Sequence, residues 1–192
     1  MKKMMKYALV ALMAAAMLFS FASCSDDDDD DDYKVAVSEL TDSQIVNLVA
    51  SGLVKAITTN YAATSDTAAT SDYSSWTLST TGVTIKTTSA YSGSFTEEDC
   101  GTYTVAIGTD STVTVTYILS SDYSSVTGYK VEVSVNATID GVNENLALNY
   151  DMSDETSNSL TINNKTADIT DAELSTLIST LITGVTTAMS GN

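Results

Sequence analysis

The dipeptide Asp140-Gly141 and the alternation on either side of it constrain the fold of this chain more than any other feature. Asp-Gly is a strong signal for a two-residue hairpin, because both central residues of that turn adopt positive φ. Val131, Val133, Val135 and Ile139 lead into it, and Val142, Leu146, Leu148 and Tyr150 lead out. The turn therefore sets Val135 opposite Leu146, Val133 opposite Leu148 and Val131 opposite Tyr150. A slip of one residue would bury Lys130, Glu132 and Asn149 instead, so turn and pattern agree on one register.

The same period of two runs from Tyr73 to Asn164. Trp76 and Leu78 share one side of a strand, and Val83 with Ile85 one side of the next. Tyr103, Val105 and Ile107 alternate, then Val113, Val115, Tyr117 and Leu119; Leu160 and Ile162 close the series. The intervening positions are mostly threonine and serine, which favour the strand and keep its other face wet.

Helical spacing flanks this region. Ile45, Val46, Val49, Leu53 and Ile57 recur at intervals of three and four, predicting a helix over 38–57. Leu177, Ile178, Leu181, Ile182, Val185 and Met189 predict a second over 170–189. Both begin with the same device: Thr41 with Gln44, and Thr170 with Glu173, form capping boxes, with Leu40 and Ile45, or Ile169 and Leu174, as hydrophobic staples. Residues 61–72 are small, polar and aperiodic, and read as a loop. The expected fold class is α+β: an antiparallel meander of six to eight strands with an N-terminal and a C-terminal helix packed on its apolar face.

The first 33 residues have a different character. Lys2, Lys3 and Lys6 precede an apolar run from Tyr7 to Ala22, the pattern of a secretory signal peptide. The run is shorter than the roughly 20 residues a spanning helix needs. Phe21-Ala22-Ser23-Cys24 resembles the lipobox of bacterial lipoproteins, with small residues at 22 and 23 and Phe21 where a branched aliphatic is usual. The resemblance covers residues 1–24 and implies cleavage before an acylated Cys24. The alternative is ordinary secretion, with cleavage after Ala22. Asp26 to Asp32 follow, seven adjacent carboxylates that repel one another and stay extended and hydrated as a spacer. The run also looks like the acidic sorting signals beside the lipidated cysteine in surface-displayed lipoproteins of some two-membrane bacteria. The expected organisation is a signal peptide over 1–23, a lipidated acidic tether over 24–37 and one domain over 38–192.

Composition removes whole classes of chemistry. The 192 residues contain no histidine and no proline, and all eight basic residues are lysines. The commonest general base and metal ligand is missing, and so is the guanidinium fork that clamps phosphate. Losing the three leader lysines leaves five against 25 acids, a net charge near −20 that repels nucleic acid. Cys100, in Glu97-Glu98-Asp99-Cys100-Gly101, has only Cys24 as a conceivable partner; its acidic neighbours disfavour the thiolate, and it is expected to pack as a small apolar residue.

No phosphate loop, nucleophile elbow or metal-spaced cluster is present, so no catalytic residue, metal ligand or cofactor is expected. Glu97, Glu98, Asp99, Asp151, Asp154 and Glu155 are the acids a carboxylate-based hydrolase would draw on, but all fall in turns, where solvated acids are usual. Ser-x-Tyr-Ser recurs at 71–75, 89–93 and 121–125, which makes Tyr73, Tyr91 and Tyr123 the candidate contacts for a protein or glycan partner. The expected role is a non-enzymatic binding or structural lipoprotein of the bacterial cell envelope or its surface, anchored through Cys24 to a membrane, with the outer membrane preferred and the periplasmic or surface side left open. A carrier of lipid or another hydrophobic ligand, held in a sheet–helix cavity, is the alternative, and the hydrolase a remote one.

Overall fold

Two capping boxes set the limits of the helices in the computed structural model, which describes residues 34–190. Helix α1 spans Asp42–Thr58: Thr41 Oγ1 accepts from the Gln44 amide at 3.3 Å, and Gln44 Oε1 accepts from the Thr41 amide at 2.8 Å. Helix α2 spans Asp171–Ser190, and Thr170 and Glu173 make the same reciprocal pair. Each box satisfies amides that a helix start leaves bare, worth about 1 kcal/mol. Helix α1 begins later than expected because Val37–Glu39 forms a separate 3-10 turn. No helix among the described residues is long and apolar enough to cross a membrane.

Between the helices lie two antiparallel sheets. The larger has nine strands: β1 (Ala62–Ser65), β2 (Ala68–Thr70), β3 (Ser74–Leu78), β4 (Gly82–Thr87), β7 (Thr112–Leu119), β8 (Val126–Val135), β11 (Leu146–Asp151), β12 (Ser159–Ile162) and β13 (Lys165–Thr166), adjacent in that order. The smaller has four, ordered β10 (Val142–Asn143), β9 (Ala137–Ile139), β6 (Gly101–Ile107) and β5 (Tyr91–Glu97). The predicted register holds residue for residue: Val135 faces Leu146, Val133 faces Leu148 and Val131 faces Tyr150.

The α+β layering is as expected, and the strand count exceeds the expected six to eight for two physical reasons. First, the meander is interrupted. Hairpins β5–β6 and β9–β10 leave the large sheet and pair with each other instead. Strands β8 and β9 are one continuous run that changes sheets at Asn136, whose amide bonds to Ser111 Oγ and whose carbonyl accepts from Gly108. Second, the segment expected as a loop over 61–72 contains hairpin β1–β2, turning at Asp66-Thr67. All four residues of β1 are exposed, so it has no alternation to read; backbone pairing alone makes it a strand. Val142, expected to face inward, is 47 % exposed at the hairpin tip.

The small sheet explains the burial of α1. One apolar stripe was expected, yet Leu48, Ala50, Gly52 and Ala56 are buried as well. Helix α1 touches β4 of the large sheet, β5, β6 and β9 of the small one, and α2. It is the axis of the core. The fold also starts before residue 38: the Val35 amide donates to the Cys100 carbonyl at 2.9 Å, and Val37 is buried. Residues 34–37 therefore belong to the domain and not to the tether.

The two helices cross closely at Gly184, where an added methyl would lie 2.7 Å from Val54 Cγ1. Replacing an internal helical glycine with alanine normally helps by about 1 kcal/mol, but overpacking costs about 1–3 kcal/mol and Val54 has little rotamer freedom. Gly184→Ala is expected to lose about 1 kcal/mol net, read as a lowered urea midpoint at unchanged slope; a raised midpoint would mean the crossing is loose.

Candidate functional site

The first described residues are held by the small sheet. Lys34 pairs with Asp140 at 2.5 Å, and its ammonium sits 4.7 Å from the centroid of the Tyr103 ring. The Tyr103 hydroxyl donates to the carbonyls of Val35 and Cys100 at 2.8 and 2.9 Å. The lysine lowers the Asp140 pKa, chiefly by hydrogen bonding. Cys24 and Asp26 to Asp32 lie outside the described residues.

The three candidate tyrosines do not share a rim. Tyr73 and Tyr91 meet edge to face at 5.2 Å, and Phe95 joins Tyr91 at 6.4 Å. They are half-buried beside the core; burial, and then the neighbouring Tyr73, raises the Tyr91 pKa. Carbonyl 73 also accepts from the Thr88 and Ser89 amides, so the first two Ser-x-Tyr-Ser segments are bonded to each other.

Tyr123 is elsewhere, in the β7–β8 turn, and is 81 % exposed. That turn is held from within. Asp122 Oδ1 accepts from Ser120 Oγ at 2.6 Å, from Ser124 Oγ at 2.7 Å and from the Ser124 amide at 3.1 Å. Those bonds, the Ser120 hydroxyl first, pull the Asp122 pKa down to about 2. Tyr123 has φ 57°, whereas the six other non-glycine residues with positive φ among the described residues are all Asn or Asp. Asn and Asp tolerate that region; a tyrosine there is strained. Sequence reasoning found the residue but not its strain, because Ser-Asp-Tyr-Ser carries no glycine or asparagine to announce a left-handed position.

Tyr123 and the Lys34–Asp140 pair sit at opposite ends of one run of strand. The turn bearing Tyr123 precedes β8, and Asp140, which holds Lys34, follows β9. At about 3.3 Å per residue the run Val126–Ile139 spans up to about 45 Å. Met152, 47 % exposed, packs beside Gly128 and Ile118 at the Tyr123 end.

The candidate acids fall at two places in different sheets. Not all lie in turns as expected: Glu97 is the last residue of β5 and Asp151 the last of β11, each paired in its ladder, while Glu98 and Asp99 turn β5 into β6 and Asp154 follows β11. Asp151 pairs with Lys130 and accepts from Ser153 Oγ and the Ser153 amide; the lysine first, then the serine, bring its pKa to about 2. Asp154 accepts from the Thr156 amide and hydroxyl. Glu97 is shifted upward by burial, against a hydrogen bond from Asn47. Among the described residues no group of three or more His, Cys, Asp or Glu is arranged to hold a metal ion.

Val49, Ala50, Leu53, Val133, Val135, Leu146, Leu177 and Leu181 surround a void of about 10 Å3, the size of one water site. Cys100 is buried in the core cluster, its sulfur accepting from Gln44 Nε2 at 2.9 Å. No protein-family model, curated protein or solved structure matches this chain.

One acid that sequence reasoning passed over is as deeply covered as Asp151. Glu144 is 8 % exposed and accepts from Asn163 Nδ2 at 2.9 Å. Burial raises its pKa, Asn163 opposes, and Asp42 adds to the rise. The folded state therefore holds this proton more tightly than the unfolded chain does. Its contribution falls as pH rises from the ordinary glutamate value, near 4.3, through the higher folded value. Glu144→Gln is expected to raise the thermal midpoint by a few degrees at pH 8, with the gain vanishing by about pH 4; a loss at pH 8 would show that the carboxylate is needed as a charge.

Proposed function

We propose that this chain is a cell-envelope lipoprotein, held to a membrane through acylated Cys24, whose domain has a non-enzymatic binding or structural role with the Tyr123 turn as its outward contact. One observation carries the reading: the domain is polar in the literal sense. Its junction with the tether is pinned at the small sheet by Lys34 and Val35, and its most exposed large hydrophobic side chain among the described residues lies at the far end of the β8–β9 run. A partner arriving from the medium meets Tyr123 first.

The chemistry of the anchor agrees with this use. Each buried methylene contributes about 0.8 kcal/mol, so two acyl chains hold where one is marginal. The seven aspartates keep the domain off the bilayer and, by their likeness to surface-sorting signals, favour display on the outer membrane. A net charge near −20 selects neutral or basic protein surfaces, or neutral glycans, over nucleic acid. Lipid carriage would need several hundred Å3 inside, and the interior offers about 10 Å3 where helices meet sheet. Hydrolysis would need two facing acids, and the candidates belong to separate sheets, with Asp151 committed to Lys130.

Intact-mass measurement of the native product is expected to show a chain starting at residue 24 with acyl mass on that cysteine, and Cys24→Ser to move the protein from the membrane to the soluble fraction. An unmodified residue 24, or a retained leader, would overturn the anchor. Tyr123→Gly is expected to stabilise the fold by a few tenths to about 1 kcal/mol by relieving the left-handed position. A loss of stability on that change would mean the ring packs on the protein and is not free for a partner.

A further inference from the structure

We propose that β5 is a self-pairing edge, through which two copies of this chain join into a two-fold dimer with one continuous eight-stranded small sheet. Each sheet has two outer strands, and an outer strand presents unpaired backbone groups that invite another strand unless it is blunted. Three of the four are blunted here. Strands β10 and β13 are two residues long, and β13 carries Lys165; β1 is four residues long with an irregular register between Ala63 and Ser65. Strand β5 has none of these devices. It pairs with β6 without interruption over all seven residues, contains no lysine or proline, and has a single charge, Glu97, at its end.

Its sequence fits an antiparallel copy of itself. Centred on Ser94, the register that pairs all seven residues sets Ser94 against Ser94, Ser92 against Thr96, Gly93 against Phe95 and Tyr91 against Glu97. The outward row is then hydroxyls only. On the inward row the largest residues oppose the smallest and the acid, and no two acids face each other, since Glu98 and Asp99 run beside Ala90 and Ser89 of the second copy. Parallel pairing would stack Glu97 on Glu97, which is unfavourable.

Gly93 supplies the apolar part of the contact. A side chain there would collide with the Tyr91 hydroxyl, and it would also come within 3.2 Å of Phe95 Cε2, so the Tyr91 and Phe95 rings of one copy converge over a bare backbone. Both rings are half-exposed in the single chain. The two-fold brings four such rings together over two glycines and covers surface that neither copy covers alone. An interface of this kind is isologous and closed, so it ends at two copies. Pairing of β5 does not depend on the state of Cys24, so its failure and that of the lipid anchor are read separately.

The test is cross-linking of the full-length protein in detergent. Opposed residues of an antiparallel pair have Cα atoms about 4.5–5.5 Å apart, within the span of a disulfide. Ser94→Cys is therefore expected to give a reducible covalent dimer under mild oxidation. Ser92→Cys faces Thr96 and lies about 13 Å from its own copy, so it stays a monomer, while Ser92→Cys with Thr96→Cys cross-links again. Wild type, with Cys24 and Cys100 only, sets the background. Sedimentation of wild type is expected at the dimer mass and of Ser94→Lys at the monomer mass, with unchanged circular dichroism. A wild type that sediments as a monomer, or a Ser94→Cys protein that cross-links no better than Ser92→Cys, overturns the proposal. An edge reserved for a peptide of another protein would give that second result.

Discussion

Everything in this domain depends on enclosing α1. A helix with one apolar stripe can lie on a sheet and leave both flanks of the stripe to water, but α1 carries Leu48 and Gly52 on one flank and Ala50 on the other, and they are buried, while Asn47 and Lys55 on its back are exposed. The large sheet and α2 cannot cover both sides. The chain answers by lifting two hairpins out of the meander and folding them over the helix as a second sheet. The inward residues of β6, Tyr103, Val105 and Ile107, are completely inaccessible as a result. Burial at about 25 cal/mol per Å2 of apolar surface is the driving force, and a helix enclosed by two sheets and a partner helix gains more of it than one lying on a surface.

That enclosure needs a strand able to change sheets without changing face, and the β8–β9 run does this. Val131, Val133, Val135, Ala137 and Ile139 all point to the core, although the first three belong to the large sheet and the last two to the small one. The bend falls at Asn136, an exposed position, where Ser111 and Gly108 take over its backbone bonds. Ser111 is itself buried and donates to the Gly108 carbonyl, and Thr87 Oγ1 bonds to that carbonyl and to the Ser111 amide. A small polar knot therefore satisfies the groups exposed where the sheets part, as buried backbone requires.

These two facts explain which parts of the fold could be read in the sequence. Register at Asp140-Gly141, both capping boxes and the class of the fold are local properties, fixed by spacing and turn chemistry within a few residues. The parting of the sheets is not local. Alternation continues unbroken through Asn136, because both sheets face the same core, so period alone cannot tell one sheet from two. Hairpin β1–β2 was hidden for the opposite reason: with β1 exposed on both faces it has strand conformation but no periodicity. At the candidate site, the repeated Ser-x-Tyr-Ser marked three tyrosines of which two pack together and one stands free. The motif is turn chemistry, and whether a turn residue ends beside the core or in solvent is decided by which strands its turn connects.

The electrostatics follow the same division between scaffold and surface. Three of the five lysines among the described residues are committed to acids: Lys34 to Asp140, Lys86 to Asp110 at 2.6 Å, and Lys130 to Asp151. Exposed pairs of this kind add little to stability, and their geometry matters more. Lys34 joins the incoming chain to the β9–β10 turn, Lys86 ties β4 to the loop before β7, and Lys130, in the middle of β8, pairs across the sheet with the last residue of β11. Two of the pairs tie a loop or the incoming chain to its neighbour and the third bridges adjacent strands, so these cations brace the scaffold. Charge of one sign keeps most of the surface from sticking to other copies or to anionic membranes. It also makes β5 distinctive: six of its seven residues carry no charge, which leaves pairing of that edge as a contact the protein's own repulsion does not forbid.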